Sequence, residues 1–275
     1  MHPDLTSTYR DVMPGVRSRL DAAELRRRLA AADVAVLDVD ECMMPGYAQI
    51  ALGHRLLRDA PGAGGPAGPR VIRAGRLIAL GACLYGLKLL PGDPVRKNLR
   101  LHTLYGLALR GIERAAFRRV MPDVWRTVYP EVRPCLRRLA GRRPVGVISL
   151  GLDCLLDGLS AALAEGGEPI PFRFLEGNRI VWLNDRFAGL AAPICHGPLD
   201  KAAVYETEAA RHGWRTPLVI GHNADETELC AIAGSAGGLS VGIGARPAHR
   251  DRFHVLLPRG AWGLLEEFLR AYDVE

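Results

Sequence analysis

The apolar run Val34-Ala35-Val36-Leu37 ends in Asp38-Val39-Asp40, and that junction constrains the fold more than any other part of the chain. A strand apolar at every position is buried on both faces, as in a parallel sheet covered by helices on each side. Side chains alternate along a strand, so carboxylates at i and i+2 share one face. They project into the crevice at the strand's carboxyl end, where open α/β sheets bind their ligands. Charge that dense needs a counter-ion. A divalent cation with oxygen ligands is one answer, and it allows one carboxylate to act as nucleophile while its neighbour moves protons.

Three later segments repeat the pattern of apolar strand followed by polar or glycine residues. Strands are expected near 33–38, 144–149, 217–221 and 239–243. Gly141 to Gly151 reads as a turn, a buried strand, then Ser149 and Gly151 ahead of a helix beginning near Asp153. A hydroxyl there, above free helix amides, suits a phosphate oxygen or serves as a plain N-cap. Gly197-Pro198-Leu199-Asp200-Lys201 opens a further helix with a lysine in its first turns. A cation there opposes the helix dipole, which favours a functional reason for it. The run from Thr216 ends in Gly221-His222-Asn223-Ala224-Asp225-Glu226. The expected class is α/β, a Rossmann-like core with a parallel sheet.

In this order the residues resemble the four motifs of the haloacid dehalogenase superfamily of phosphohydrolases, and most of all its phosphoserine phosphatase branch. Asp38 and Asp40 match the first motif, Ser149 the second, Lys201 the third and Gly221 to Glu226 the fourth; the likeness spans roughly residues 33–245. It implies a metal-dependent phosphomonoester hydrolase in which Asp38 forms an aspartyl-phosphate and Asp40 is general acid and base. Ser149, Gly151 and Lys201 would bind phosphate, and Mg²⁺ would lie among Asp38, Asp40, His222, Asp225 and Glu226. It also implies a core of residues 1–44 and 133–275, an inserted helical cap at 45–132 hinged near Gly46 and Pro130 to Pro134, and a β-hairpin flap. The flap is expected within Phe172 to Trp182, turning at Gly177-Asn178.

The departures are specific. The family's fourth motif offers aspartate where this chain has His222. Imidazole is a poor ligand for Mg²⁺ and a fair one for Mn²⁺ or another divalent cation. A phosphotransferase, or a catalytically impaired phosphate-binding protein, therefore stand as alternatives. Cys42 replaces the usual threonine or valine. No acid lies between Cys42 and Arg58 to read a substrate amino group, which argues against phosphoserine.

The remaining expectations are coarse. The cap is basic, with Arg55, Arg58, Arg70, Arg73, Arg76, Lys88, Arg96, Lys97, Arg100 and Arg110, which favours a small, multiply anionic phosphorylated substrate or a solvated arginine face. Leu77 to Leu90 is apolar but shorter than the ~20 residues of a membrane span. It reads as a buried cap helix, with contact at a membrane surface as the lesser option. A length of 275 residues with 48% apolar content suffices for a large core plus a cap. Net charge of +6 comes without a nucleic-acid-binding pattern. Six cysteines without a CxxC pair suggest a reducing, cytoplasmic setting. Cys195, His196, His222 and Cys230 as a soft-metal site is the weaker reading beside simple packing. Leu20 to Ala31 reads as an amphipathic helix on the core edge. The oligomeric state stays open.

Overall fold

A computed structural model describes residues 9–59, 75, 78, 81, 93–165 and 167–273. Apart from Ile78 and Gly81, the apolar stretch 77–90 lies outside these residues, as do Arg70, Arg73, Arg76 and Lys88.

The strands are β1 (Arg10–Met13), β2 (Val16–Ser18), β3 (Val34–Leu37), β4 (Val145–Leu152), β5 (Phe172–Asn178), β6 (Ile180–Leu183), β7 (Arg186–Leu190), β8 (Pro217–Gly221), β9 (Leu239–Ile243) and β10 (Val255–Leu257). The helices are α1 (Ala22–Ala31), α2 (Ala48–Asp59), α3 (Pro94–Leu109), α4 (Arg114–Trp125), α5 (Val132–Ala140), α6 (Asp153–Ala164), α7 (Pro198–His212), α8 (Thr227–Ser235) and α9 (Trp262–Tyr272). Eight strands form one sheet in the order β1-β2-β10-β9-β8-β3-β4-β5. From β10 to β5 all neighbours are parallel, and the N-terminal ribbon β1-β2 joins antiparallel to β10.

Alternation sorts the strand residues between two layers. Ala35 and Leu37 face one layer with Leu25 of α1, Leu136 of α5 and Phe268 of α9. Val34 and Val36 face the other, with Tyr205 of α7 and Leu229 of α8. Leu37 is level with Val147 on β4 and Ile220 on β8, so β3 and β8 end together while β4 runs on to Leu152, and Asp38 emerges beside them.

Within the expected cap the described residues are helical: α2, α3 and α4. Leu52, Leu56, Tyr105, Leu109 and Phe117 from these helices share one apolar cluster with the core residues.

The expected flap needs correction. Phe172 to Asn178 is a single strand, β5, paired in parallel with β4 and not turning at Gly177-Asn178. Its Phe174 ring lies over Gly146, where an added Cβ would approach a ring carbon to 2.0 Å. The hairpin is β6-β7, and it turns at Asn184 and Asp185, both at positive φ. Left-handed conformations at both central residues belong to a type I′ turn, whose twist matches that of paired strands. The hairpin seats Trp182 edge-on against Phe117 of α4, ring centroids 5.2 Å apart.

Candidate active site

The amide of Asp38 donates to the carbonyl of Ile220 (2.9 Å), which fixes the first residue beyond β3 beside the end of β8. Lys201 lies one turn into α7 and is 1% exposed. Its ammonium donates to Asp38 Oδ1 and to Glu226 Oε1, both at 2.7 Å. Glu226 can reach because Gly221 has no side chain: a Cβ there would stand 2.4 Å from Glu226 Cγ. The second oxygen of Glu226 accepts the amides of His222 (3.2 Å) and Asn223 (3.0 Å).

His222 Nδ1 is 3.1 Å from Asp38 Oδ2. The orientation of Asn223 assigns the imidazole's proton: Asn223 Oδ1 accepts from the Asp225 amide at 2.6 Å, so its Nδ2 faces His222 Nε2 at 2.9 Å. Nε2 is then the acceptor and Nδ1–H donates to Asp38. Glu41 Oε2 lies 3.5 Å beyond Nε2. Glu41 adopts φ +53° and accepts from Arg246 (2.5 Å), Arg259 (3.1 Å) and Tyr47 (3.0 Å).

These partners set the acidities. Burial works to raise the pKa of Asp38, but Lys201 and then His222 outweigh it and hold the carboxyl low, at about 2. Burial opposes the charge of Lys201, yet Asp38 and Glu226 push its pKa well above the ordinary lysine value. Asp40 has one carboxyl oxygen on the Ala48 amide at the start of α2 (2.7 Å). Burial, reinforced by Asp38, pushes its pKa up to about 7. Asp225 is pushed up to about 6, mainly by burial.

Asp38, Asp40, Lys201, His222 and Asp225 border one cavity of about 110 Å³. Its opposite wall includes Gln49, Ile50, Asn98, Leu101, His102 and Leu150. Gln49 Nε2 is buried and has no hydrogen-bond partner among the described residues. Ser149 and Gly151 are not part of this cavity. The Ser149 hydroxyl accepts the Gly151 amide at 3.0 Å, and Ser149 borders a separate cavity with Glu176, Asn178 and Asp200.

One ligand atom each from Asp38, His222 and Glu226 falls within 4.8 Å of the others, a spacing that a metal ion can bridge. The donor set does not suit Mg²⁺. That ion needs near-octahedral oxygen coordination at about 2.0–2.1 Å. Here the Lys201 ammonium already lies between the two carboxylates, both Asp38 oxygens are hydrogen-bonded, and the third donor is an imidazole nitrogen carrying a proton. Neither Cys195, His196 nor Cys230 belongs to any such cluster among the described residues; Cys230 packs among apolar neighbours.

No family model and no curated protein matches the chain. Solved structures do. Cytosolic 5'-nucleotidase IIIB, bound to cytidine, aligns with a TM-score of 0.66 over 95% of each chain at 14% identity. A probable phosphoserine phosphatase from Vibrio cholerae gives 0.60 over 88% of this chain at 15% identity. A HAD family hydrolase from Salmonella enterica serovar Typhi gives 0.58 over 82% of this chain at 17% identity. The fold is that of the haloacid dehalogenase hydrolases, in its phosphoserine phosphatase-like form. Of the latter two haloacid dehalogenase-fold proteins, the chain spans 67% and 66% of the length. Among the described residues no helix is long and apolar enough to cross a membrane.

The site also contains residues that sequence reasoning missed. Glu41 and Asn223 adjoin first- and fourth-motif residues and were within reach of a local reading. Gln49, Asn98 and His102 come from α2 and α3, and their approach depends on how those helices dock.

Proposed function

We propose that the chain is a phosphomonoester hydrolase acting through Asp38. What supports this best is the setting of the Asp38 carboxylate. It is ionised and buried at the floor of a cavity, between the Lys201 ammonium and the His222 N–H, with the pKa of Asp40 beside it pushed up to about 7 so that it can exchange a proton near neutral pH.

Asp38 attacks phosphorus in line, and the bond from phosphorus to the substrate oxygen breaks as Asp40 gives that oxygen its proton. Water, deprotonated by Asp40, then attacks the aspartyl-phosphate. The bond from phosphorus to Asp38 breaks, releasing orthophosphate and restoring the carboxylate. Lys201 holds a phosphoryl oxygen and offsets repulsion between Asp38 and the incoming anion, since phosphoryl transfer relies mainly on positioning and electrostatics. Ser149 and Gly151, bonded to each other, take no direct part in this reading.

The wall opposite Asp38 argues about the alcohol half of the substrate. It offers amides, an imidazole and aliphatic groups, and Lys201 is the lone lysine or arginine among the described residues of the cavity. Those described groups suit a polar alcohol half. The free thiols of Cys42, Cys135, Cys154, Cys195 and Cys230 are consistent with a cytoplasmic setting.

Phosphate release across a panel of phosphomonoesters tests the proposal. Asp38→Asn should lose at least about a thousandfold in kcat/KM. Turnover equal in wild type and Asp38→Asn would overturn it.

A further inference from the structure

Each oxygen of the Asp38 carboxylate already accepts a hydrogen bond, Oδ1 from Lys201 and Oδ2 from His222, and Glu226 beneath it is held by Lys201 and two backbone amides; Asp40 and Asp225 are the other carboxylates bordering the cavity. A divalent ion placed among Asp38, His222 and Glu226 would have to displace an ammonium hydrogen-bonded at 2.7 Å to each of two carboxylates. It would also have to strip a proton from Nδ1, because a metal binds the deprotonated ring nitrogen. Turning the ring to offer Nε2 instead would break the Asn223 contact, and Asn223 is itself held by the Asp225 amide. The imidazole is thus a fixed donor towards the nucleophile. Glu41, tied down by Arg246 and Arg259, closes the far side of the ring.

We propose that His222 and Lys201 together fill the cation's place, so that this site takes no divalent metal and His222 is a catalytic residue, donating to Asp38 as charge shifts during phosphoryl transfer. Every step then balances without a metal: Asp38 supplies the electron pair, Asp40 the proton, and two N–H donors the stabilisation. The catalytic part rests on the hydrolase reading above; the binding part does not.

The experiment is a Mn²⁺ titration followed by the electron paramagnetic resonance signal of the free ion. Wild type, Asp38→Asn and His222→Asp are compared, and phosphate release is read in parallel with and without EDTA. The expected result is that wild type takes up no Mn²⁺ that Asp38→Asn fails to take up, whereas His222→Asp gains one ion. Binding by wild type that Asp38→Asn abolishes would overturn the proposal; binding that survives in Asp38→Asn lies elsewhere and leaves it standing. In turnover, EDTA should change wild-type phosphate release by less than about twofold and abolish any activity of His222→Asp, as for an enzyme whose metal does the electrostatic work. Loss of wild-type turnover in EDTA, restored by Mg²⁺ or Mn²⁺, would also overturn it. If no phosphomonoester is turned over under any condition, the hydrolase reading fails and the Mn²⁺ titration still decides the question of the metal.

Discussion

Lys201 is a buried ammonium shared between two buried carboxylates. Such a group contributes little relative to an apolar substitute, but removing one partner leaves uncompensated charge. Breaking a buried pair typically costs about 3–5 kcal/mol. Lys201→Met should therefore lower the unfolding free energy measured in urea by an amount in that range, and Lys201→Met combined with Asp38→Asn and Glu226→Gln should recover most of the loss. A single variant as stable as wild type would show that the carboxylates take up protons or water instead. The identities of Asp38, Lys201, His222 and Glu226 were legible in the sequence because each follows a strand end or a helix start, where geometry is locally fixed. Ser149 was expected at a strand end, but β4 runs on to Leu152 and the Ser149 hydroxyl turns to the Gly151 amide. Side-chain direction at a bulged strand end depends on the neighbouring strand, and β4 breaks register with β5 between Ile148 and Leu152.

Among the elements, the buried strands β3, β8 and β9 were readable, as was α1 with its amphipathic stripe. The hairpin was misplaced because aromatic and β-branched residues run on both sides of Gly177-Asn178, while the true turn at Asn184-Asp185 lacks the glycine that marks such turns most clearly. The ribbon β1-β2 and strand β10 are too short to show periodicity. Their attachment depends partly on His254, just ahead of β10. His254 Nδ1 accepts the Ser240 amide at 3.0 Å and lies 2.7 Å from the Ser240 hydroxyl. Burial first, then Arg28 and Arg19, push its pKa down to about 4 from 6.5. The unfolded chain therefore binds this proton at higher pH than the folded one. Stability is intact above about pH 6.5 and falls as pH drops towards 4, by up to about 3 kcal/mol. Urea unfolding at pH 7 and pH 4.5 should show wild type losing about 2 kcal/mol more than His254→Asn over that interval. Equal losses would mean that His254 is protonated in the fold without penalty.

For the molecule as a whole, the helical character of the segments that form α2, α3 and α4 was legible in composition, but not the way those helices close over the carboxyl edge of the sheet. The contact that does so joins residues 94 positions apart: His102 Nδ1 meets His196 Nδ1 at 3.0 Å, while His102 Nε2 meets the carbonyl of Leu150 at 2.9 Å. A carbonyl only accepts, so Nε2 carries the proton of His102, and Nδ1 accepts the proton of His196. Asn98 adds a bond to the His196 carbonyl at 2.7 Å. In this way α3 is fastened both to the end of β4 and to the loop that starts α7, the helix that carries Lys201. His102→Phe keeps ring volume and removes both polar contacts. The Leu150 carbonyl retains its Asn178 donor at 2.8 Å, so the stability cost should be about 1 kcal/mol, near the low end for a lost buried hydrogen bond. The functional cost should be larger. With α3 free to shift, the wall that positions the substrate alcohol loses its fixed distance from Asp38, and misplacement by about 1 Å can cost about a hundredfold in rate. His102→Gln, whose amide can still donate to Leu150, should restore most of that rate. Activity of His102→Phe within about twofold of wild type, at a comparable stability cost, would mean that closure over the site does not depend on this bond.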